Sequence, residues 1–382
     1  MNWSPSNWKN AKVIKQMPFY EDKERLDGVK SEISNLDGLL KIDEILKFKA
    51  KLKDVADGKS FLIVAGDCAE PLFNNDINVI NTIDVINKIS DIISKKTGKN
   101  VIRVGRMAGQ YAKPRTNDEE SRDGVVLPVY RGDIINNFNF SKESREADPD
   151  LMKIAYIQSK KTLELIRKTT NDFYIAHECL LLDYEEALVK KDGNDYYLSS
   201  THFPWIGYRT LNIESAHVEF LRGVINPISV KCGEKTNVDE LIEIIKILNP
   251  KNEIGKIVLT VRFSSQDILE NTVSMINKVK ESGLNVIWMV DPMHGNTKKL
   301  NNLKVRYVDD ILQETKNFIK ACKIANVYFG GIHLEMSGLD ITECIGLNVN
   351  AKDIKKCYST LCDPRLNGEQ SLYIINNVVD LL

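Results

Sequence analysis

The sequence predicts an α/β protein, a (β/α)8 TIM barrel over residues 61–382 preceded by a mostly helical extension over residues 1–60. Three observations predict it. Eight short runs rich in Val, Ile, Leu and aromatics end near Ala65, Val104, Ala176, Ile206, Val230, Val261, Val290 and Ile332. Amphipathic stretches such as INVINTIDVINKISDIISKK, VDELIEIIKILNP and ENTVSMINKVKESG lie between most of them, and strand–helix alternation is the sequence form of a parallel barrel. Most runs end on a residue able to bind a metal or an anion, and chemistry delivered repeatedly at strand carboxyl ends marks one face of such a barrel. A doubly wound open sheet is the rival architecture; eight units with ligands from nearly all of them favour closure.

The elements follow in order. KERLDGVKSEISNLDGLL and KIDEILKFKAKLKDVA carry apolar residues at helical spacing and form the extension, which packs on the barrel and is a candidate oligomer interface. The first run, FLIVAGDCAE, delivers Cys68 between Asp67 and Glu70. The second, VIRVGRMAGQYAKPR, delivers Arg106, Lys113 and Arg115, with Thr116 next in the KPRT turn. The third ends before Glu178, and the fourth before Tyr208 and Arg209. NPISVKCG, IVLTVRF, NVIWMVDPMHG and VYFGGIHLEM then deliver Lys231, Arg262, His294 and Glu335. Asp363 follows in a Pro-bounded turn. The longest interval, between the second and third runs, is polar, and its LPVYRGDIIN core is expected to reach over the barrel mouth as a lid or docking loop.

Composition narrows the function. With 43% hydrophobic and 27% charged residues the chain is an ordinary globular protein. A net charge of −1 implies no general attraction to nucleic acid or anionic membrane. No apolar run approaches the roughly 18 residues of a membrane span, and MNWSPSNWKNAKVIKQ lacks the apolar core of a secretion signal. A cytoplasmic location is expected. Seven cysteines without a CxxC pair are neither a disulfide framework nor a zinc ribbon.

Cys68, His294, Glu335 and Asp363 offer a thiolate, an imidazole and two carboxylates, a mixed set that suits a divalent first-row metal with open positions. Each has a plainer reading: a turn histidine for His294, an ion-pair partner for Glu335, an Asx turn for Asp363. His333 is either an orienting neighbour of the site or a satisfied core histidine. Arg106, Lys113, Arg115, Arg209, Lys231 and Arg262 all follow strands. Arginine forks match phosphate and carboxylate oxygens, and such a cluster at a barrel mouth implies a phosphorylated carboxylate ligand. No Walker loop, GxGxxG or serine elbow is present.

The motifs AGDCAE, VGRMAGQYAKPR, YRGDIIN, HECLLLDYE, WIGYRT, VDPMHGNT, GGIHLEMSG, TECIG and CDPRLN, in this order, resemble the successive signatures of class II DAHP synthases (DAHP is 3-deoxy-D-arabino-heptulosonate 7-phosphate). The resemblance runs from the SNWKNAKVIKQMPFY opening to the carboxyl terminus. It implies a metal-dependent (β/α)8 barrel that condenses phosphoenolpyruvate with erythrose 4-phosphate, the entry to the shikimate route. By the same resemblance Cys68, His294, Glu335 and Asp363 bind Mn²⁺ or Co²⁺, with Fe²⁺ or Zn²⁺ as alternatives. Arg106 and Arg209 hold the phosphate of phosphoenolpyruvate, Lys113, Lys231 and Arg262 its carboxylate and bridging oxygen, and Arg115 and Thr116 the aldose phosphate. Lys113 is the candidate proton donor, His294 a catalytic as well as a metal residue, and Glu178 the candidate for positioning water. A homo-oligomer, dimer or tetramer, is expected, without nucleic acid or membrane as partner.

Two departures stand out. Tyr208 gives GYRT where long members have GERT, a position whose backbone N–H is expected to serve the phosphate. The chain is also shorter between KPRT and WIGYRT, so weak or no aromatic feedback and a role in secondary metabolism are expected. Cys362, next to Asp363, is expected to lie near Cys68 and to be able to oxidise with it when metal is absent. The alternatives are an amino-sugar phosphate as second substrate, a silent phosphoenolpyruvate-binding paralogue, and a pyruvate-type metal aldolase, which would need fewer cations.

Overall fold

The computed structural model describes residues 3–73, 75–264 and 268–382. Apolar residues on both faces of a short run suit a parallel strand covered by helices, and all eight runs form one. They are β1 (Ser60–Gly66), β2 (Asn100–Arg106), β3 (Phe173–Glu178), β4 (Phe203–Ile206), β5 (Ile228–Gly233), β6 (Ile257–Arg262), β7 (Ile287–Val290) and β8 (Phe329–Glu335). Each pairs in parallel with the next and β8 with β1, closing the barrel. At the seam Gly66 registers with both Arg106 and Glu335.

The two-residue period of a strand sorts the side chains. Leu62, Val64, Ile102, Val104, Tyr174, Ala176, Phe203, Trp205, Val258, Ile287 and Met289 form one buried cluster inside the barrel. Ile63, Ala65, Val230, Cys232, Leu259, Val261, Ile332 and Leu334 pack outward in the larger cluster beneath the helices. The same inward alternation runs on to Gly66, Arg106, Glu178, Lys231 and Arg262, to His333 and Glu335 on β8, and to Asp291 just past β7. The charged residues are therefore the last inward layer of the strands themselves.

Two helices precede β1: α1 (Lys23–Ser34), whose N-cap Asp22 accepts from Arg25 N, and α2 (Ile42–Ala56). Phe48, Leu52 and Val55 of α2 join the cluster inside the barrel. Phe48 stacks within 4.7 Å of Tyr174 and 5.4 Å of Phe203, ring centre to ring centre. The apolar face of α2 is the floor of the barrel. Crossovers include helices over Asp76–Thr97, Asp150–Thr169, Val238–Leu248, Ile268–Glu281 and Val308–Ile324. Among the described residues no helix is long and apolar enough to cross a membrane.

The segment between β2 and β3 departs from the expected lid. Val129, Tyr130, Arg131, Ile134, Ile135 and Asn136 of LPVYRGDIIN are buried. Tyr130 packs on Cys68 and Cys362, Asp133 accepts from Leu72 N, and Asn136 ties Arg131 N to the carbonyls of Val129 and Arg145. With its polar groups satisfied internally the segment is a fixed wall of the mouth. Only the hairpin before it, Glu119–Arg122 with Val125–Pro128, projects, leaving Val125 and Val126 exposed.

Truncating the floor should be costly: Phe48→Ala is expected to destabilise the fold by about 3–5 kcal/mol, read as a lower urea midpoint.

Candidate active site

Glu335 is fully buried at the end of β8, and four donors converge on its carboxylate. Oε1 faces Arg106 Nη2 at 2.9 Å, His294 Nε2 at 3.0 Å and Lys113 Nζ at 3.3 Å; Oε2 faces Arg306 Nη1 at 2.6 Å. Burial alone would raise its pKa, but His294, Lys113, Arg306 and Arg106 hold it well below the usual carboxylate range.

Around this point the expected metal ligands assemble. Ligand atoms of Cys68, Glu335 and Asp363 lie within 4.8 Å of one another. His294 joins through Glu335, its other ring nitrogen turned to Asp291 at 2.7 Å. Lys113 Nζ occupies the focus, 2.8 Å from Cys68 Sγ, 3.3 Å from Glu335 and 3.1 Å from Asp363. Burial lowers the Lys113 pKa, but the groups around it more than compensate and raise it well above the ordinary lysine range. A cation at the convergence of a thiol and two carboxylates is the electrostatic demand that a divalent ion would also meet, so the donor set fits a metal. Cys362 is buried beside Cys68, and both thiols are free.

Next to this cluster lies a cationic wall. Arg106 donates to Asp67 O at 2.8 Å, contacts His333 Nε2, and lies 5.1 Å over the Trp205 ring. Lys231 Nζ lies 5.3 Å over the same ring and donates to Asp291 at 2.8 Å. Burial lowers the Lys231 pKa. Burial also lowers the His333 pKa, helped by Lys231 and Arg106, whose guanidinium its ring contacts. Arg262 donates to His294 O at 2.8 Å and stacks 4.9 Å from the Tyr208 ring, whose hydroxyl accepts from Lys235 N at 2.7 Å. Tyr208 thus braces Arg262 from the side by a cation–π contact.

Arg115, Thr116 and Arg209 gather elsewhere, in a cavity of about 300 Å³ shared with Lys113, Lys304, Cys362 and Asp363. Arg209 donates to Thr116 Oγ1 at 3.1 Å, and its side chain lines this outer cavity. Glu178 ends β3 with one buried, unpartnered carboxylate oxygen packed so closely on Gly207 that a Cβ there would come within 1.9 Å of it.

Several residues escaped sequence reasoning. Asp291 bridges Lys231 and His294 and was legible as the acid ending NVIWMVD. Arg306, from the hairpin strand Leu303–Tyr307, gave no signal; it crosses to Glu335 through tertiary packing, one Nη left unpartnered. Arg365 joins Asp67 to Glu343 behind Cys68. Glu314 accepts from Phe263 N at 2.8 Å and Asn296 Nδ2 at 2.6 Å, tying the loops after β6 and β7, with burial pushing its pKa up to about 8. Lys304 donates to the second oxygen of Asp363 at 2.7 Å.

The model of the Class-II DAHP synthetase family matches residues 3–171 and 168–379. Proteins called phospho-2-dehydro-3-deoxyheptonate aldolase are similar over nearly the whole chain. The Streptomyces coelicolor protein is 34% identical, covering 97% of this chain and 96% of its own. The Neurospora crassa protein is 33% identical, with coverages of 99% and 94%. A solved structure of that name from Francisella tularensis aligns with a TM-score of 0.55 at 15% identity, covering 93% of this chain and 95% of its own, which speaks to fold alone.

Removing the central carboxylate would leave buried cations uncompensated. Glu335→Ala is expected to cost about 3–5 kcal/mol in chemical denaturation of chelator-treated protein.

Proposed function

We propose, from the premise that this chain belongs to the class-II DAHP synthetase family, that its barrel mouth condenses phosphoenolpyruvate with erythrose 4-phosphate to DAHP and phosphate. One observation carries the site assignment: Cys68, Glu335 and Asp363 converge around a cation, with Arg106, Lys231 and Arg262 alongside.

In this reading Arg106 faces the phosphate of phosphoenolpyruvate, while Lys231 and Arg262 face its carboxylate and bridging oxygen. Arg115 and Thr116 receive the aldose phosphate, and Arg209, lying on Thr116, serves the cavity it lines as well as the enol phosphate. Positioning is much of the catalysis: C3 of phosphoenolpyruvate is held against the aldehyde carbon. As that bond forms, positive charge left at C2 is met by water, and the tetrahedral carbon expels phosphate by C–O cleavage. Glu178, with an unpartnered oxygen at the mouth, orients the water. Lys113, whose ammonium lies among Cys68, Glu335 and Asp363 at the mouth, delivers the proton to the nascent alkoxide. Cys68, His294, Glu335 and Asp363 would hold a divalent ion, Mn²⁺ or Co²⁺ first and Fe²⁺ or Zn²⁺ otherwise, which would supply Lewis-acid polarisation of the aldehyde oxygen. Asp291 orients His294 for that set through its Nδ1 side, as ligand histidines require.

Reduced aromatic feedback is part of the proposal. The alignment with the Neurospora protein spans 454 positions, more than the 382 residues here, so that relative carries segments this chain lacks. A compact form without them suits a specialised, secondary-metabolic supply of DAHP.

Incubation with both substrates should consume the enolpyruvyl absorbance and release phosphate, stop with EDTA, and resume with Mn²⁺ or Co²⁺. Failure with every metal tested would refute the activity. Cys68→Ser should lose both turnover and bound metal. Tyr208→Leu should raise the KM for phosphoenolpyruvate about tenfold, the order of one cation–π contact at a desolvated site, while Tyr208→Phe stays within about threefold.

A further inference from the structure

We infer that Gln16, far from the barrel strands in sequence, is a positioning residue for the outer anion cavity: its carboxamide clamps the backbone of Arg115. The inference rests on the reading that Arg115 and Thr116 receive the aldose phosphate.

Gln16 lies in the amino-terminal arm ahead of α1. Its Oε1 accepts from Arg115 N at 2.8 Å, and its Nε2 donates to Arg115 O at 2.9 Å. A side-chain amide that meets both backbone groups of one residue reproduces the pairing of a neighbouring strand and fixes that residue's backbone from both ends. The same Oε1 accepts from Arg131 Nη1 at 3.3 Å, and Arg131 O accepts from Lys113 N at 2.8 Å. The turn Lys113–Thr116, which supplies four of the cavity's lining residues, is thus held by the arm on one side and by the Tyr130–Arg131 wall on the other.

A second observation points the same way. Gln16 has φ +66°, the left-handed region that side chains other than glycine rarely adopt. The arm is tied down on both sides of it. Val13 pairs with Ser215 through Val13 N to Glu214 O and Ala216 N to Val13 O, and Tyr20 is buried. A local backbone conformation that costs energy persists where its surroundings impose it, and such positions cluster at working sites. Here it aims the amide at Arg115. The arm therefore completes the cavity without lining it.

The test is steady-state kinetics on the full-length enzyme, varying each substrate in turn, with thermal unfolding of every variant. Gln16→Ala and Gln16→Gly should each raise the KM for erythrose 4-phosphate about tenfold, the order expected for losing paired hydrogen bonds that preorganise an anion site, and leave the KM for phosphoenolpyruvate within about twofold. Glycine suits the positive φ, so Gln16→Gly should melt no lower than Gln16→Ala; a KM that rises while stability holds separates positioning from folding. On an Arg115→Ala background Gln16→Ala should add nothing. The clamp is overturned if both Gln16 variants keep the aldose KM within about twofold while Arg115→Ala raises it, or if both substrates' KM values rise together. An unmoved aldose KM in Arg115→Ala overturns both the clamp and the cavity assignment beneath it.

Discussion

The carboxylate of Glu335 is the constraint on which the barrel mouth is built. It is wholly buried and collects Arg106 from β2, Lys113 from the turn beyond it, His294 from the loop after β7 and Arg306 from a hairpin strand. Desolvating one carboxylate is expensive unless several donors share it, and the fold supplies four from four separate segments. Each of those donors has a second obligation. Arg106 is held to Asp67 O and His333, His294 to Asp291, and Lys113 to Cys68 and Asp363. One buried negative charge thereby positions both the metal-type ligands and the anion-binding wall.

The two aromatic rings at the mouth extend this economy to the cations. Trp205 underlies both Arg106 and Lys231, and Tyr208 underlies Arg262. Like charges that would repel one another across an open barrel are spaced by ring faces, which attract cations without neutralising them. Tyr208, the position where the GYRT motif departs from the expected GERT, supports Arg262 through its ring face.

Much of the architecture was legible because a parallel barrel writes itself in short runs buried on both faces. The same two-residue period that closes the hydrophobic interior also brings Arg106, Lys231, Arg262 and Glu335 to its upper layer. The segment LPVYRGDIIN, expected to reach over the mouth as a lid or docking loop, does reach the mouth, where Tyr130 packs on Cys68 and Cys362, but it is buried there. Its polar groups in fact pair among themselves and with Leu72 and Arg145, and that pairing makes a wall. Arg306, Arg365, Glu314 and Gln16 could not be read as site-forming, since each acts through a partner distant in sequence that no local pattern reveals.

The sequence by itself determined the eightfold strand–helix alternation, the extension before it, and which residue types reach the strand ends, because periodicity and side-chain chemistry are local properties. Only the tertiary structure decided that Lys113 stands at the focus of Cys68, Glu335 and Asp363, that Arg209 turns to Thr116, that α2 floors the barrel, and that the arm reaches Arg115. Those are distances between segments tens to hundreds of residues apart. They follow from closure of the barrel and from the need to satisfy each buried charge, neither of which any single stretch of chain encodes.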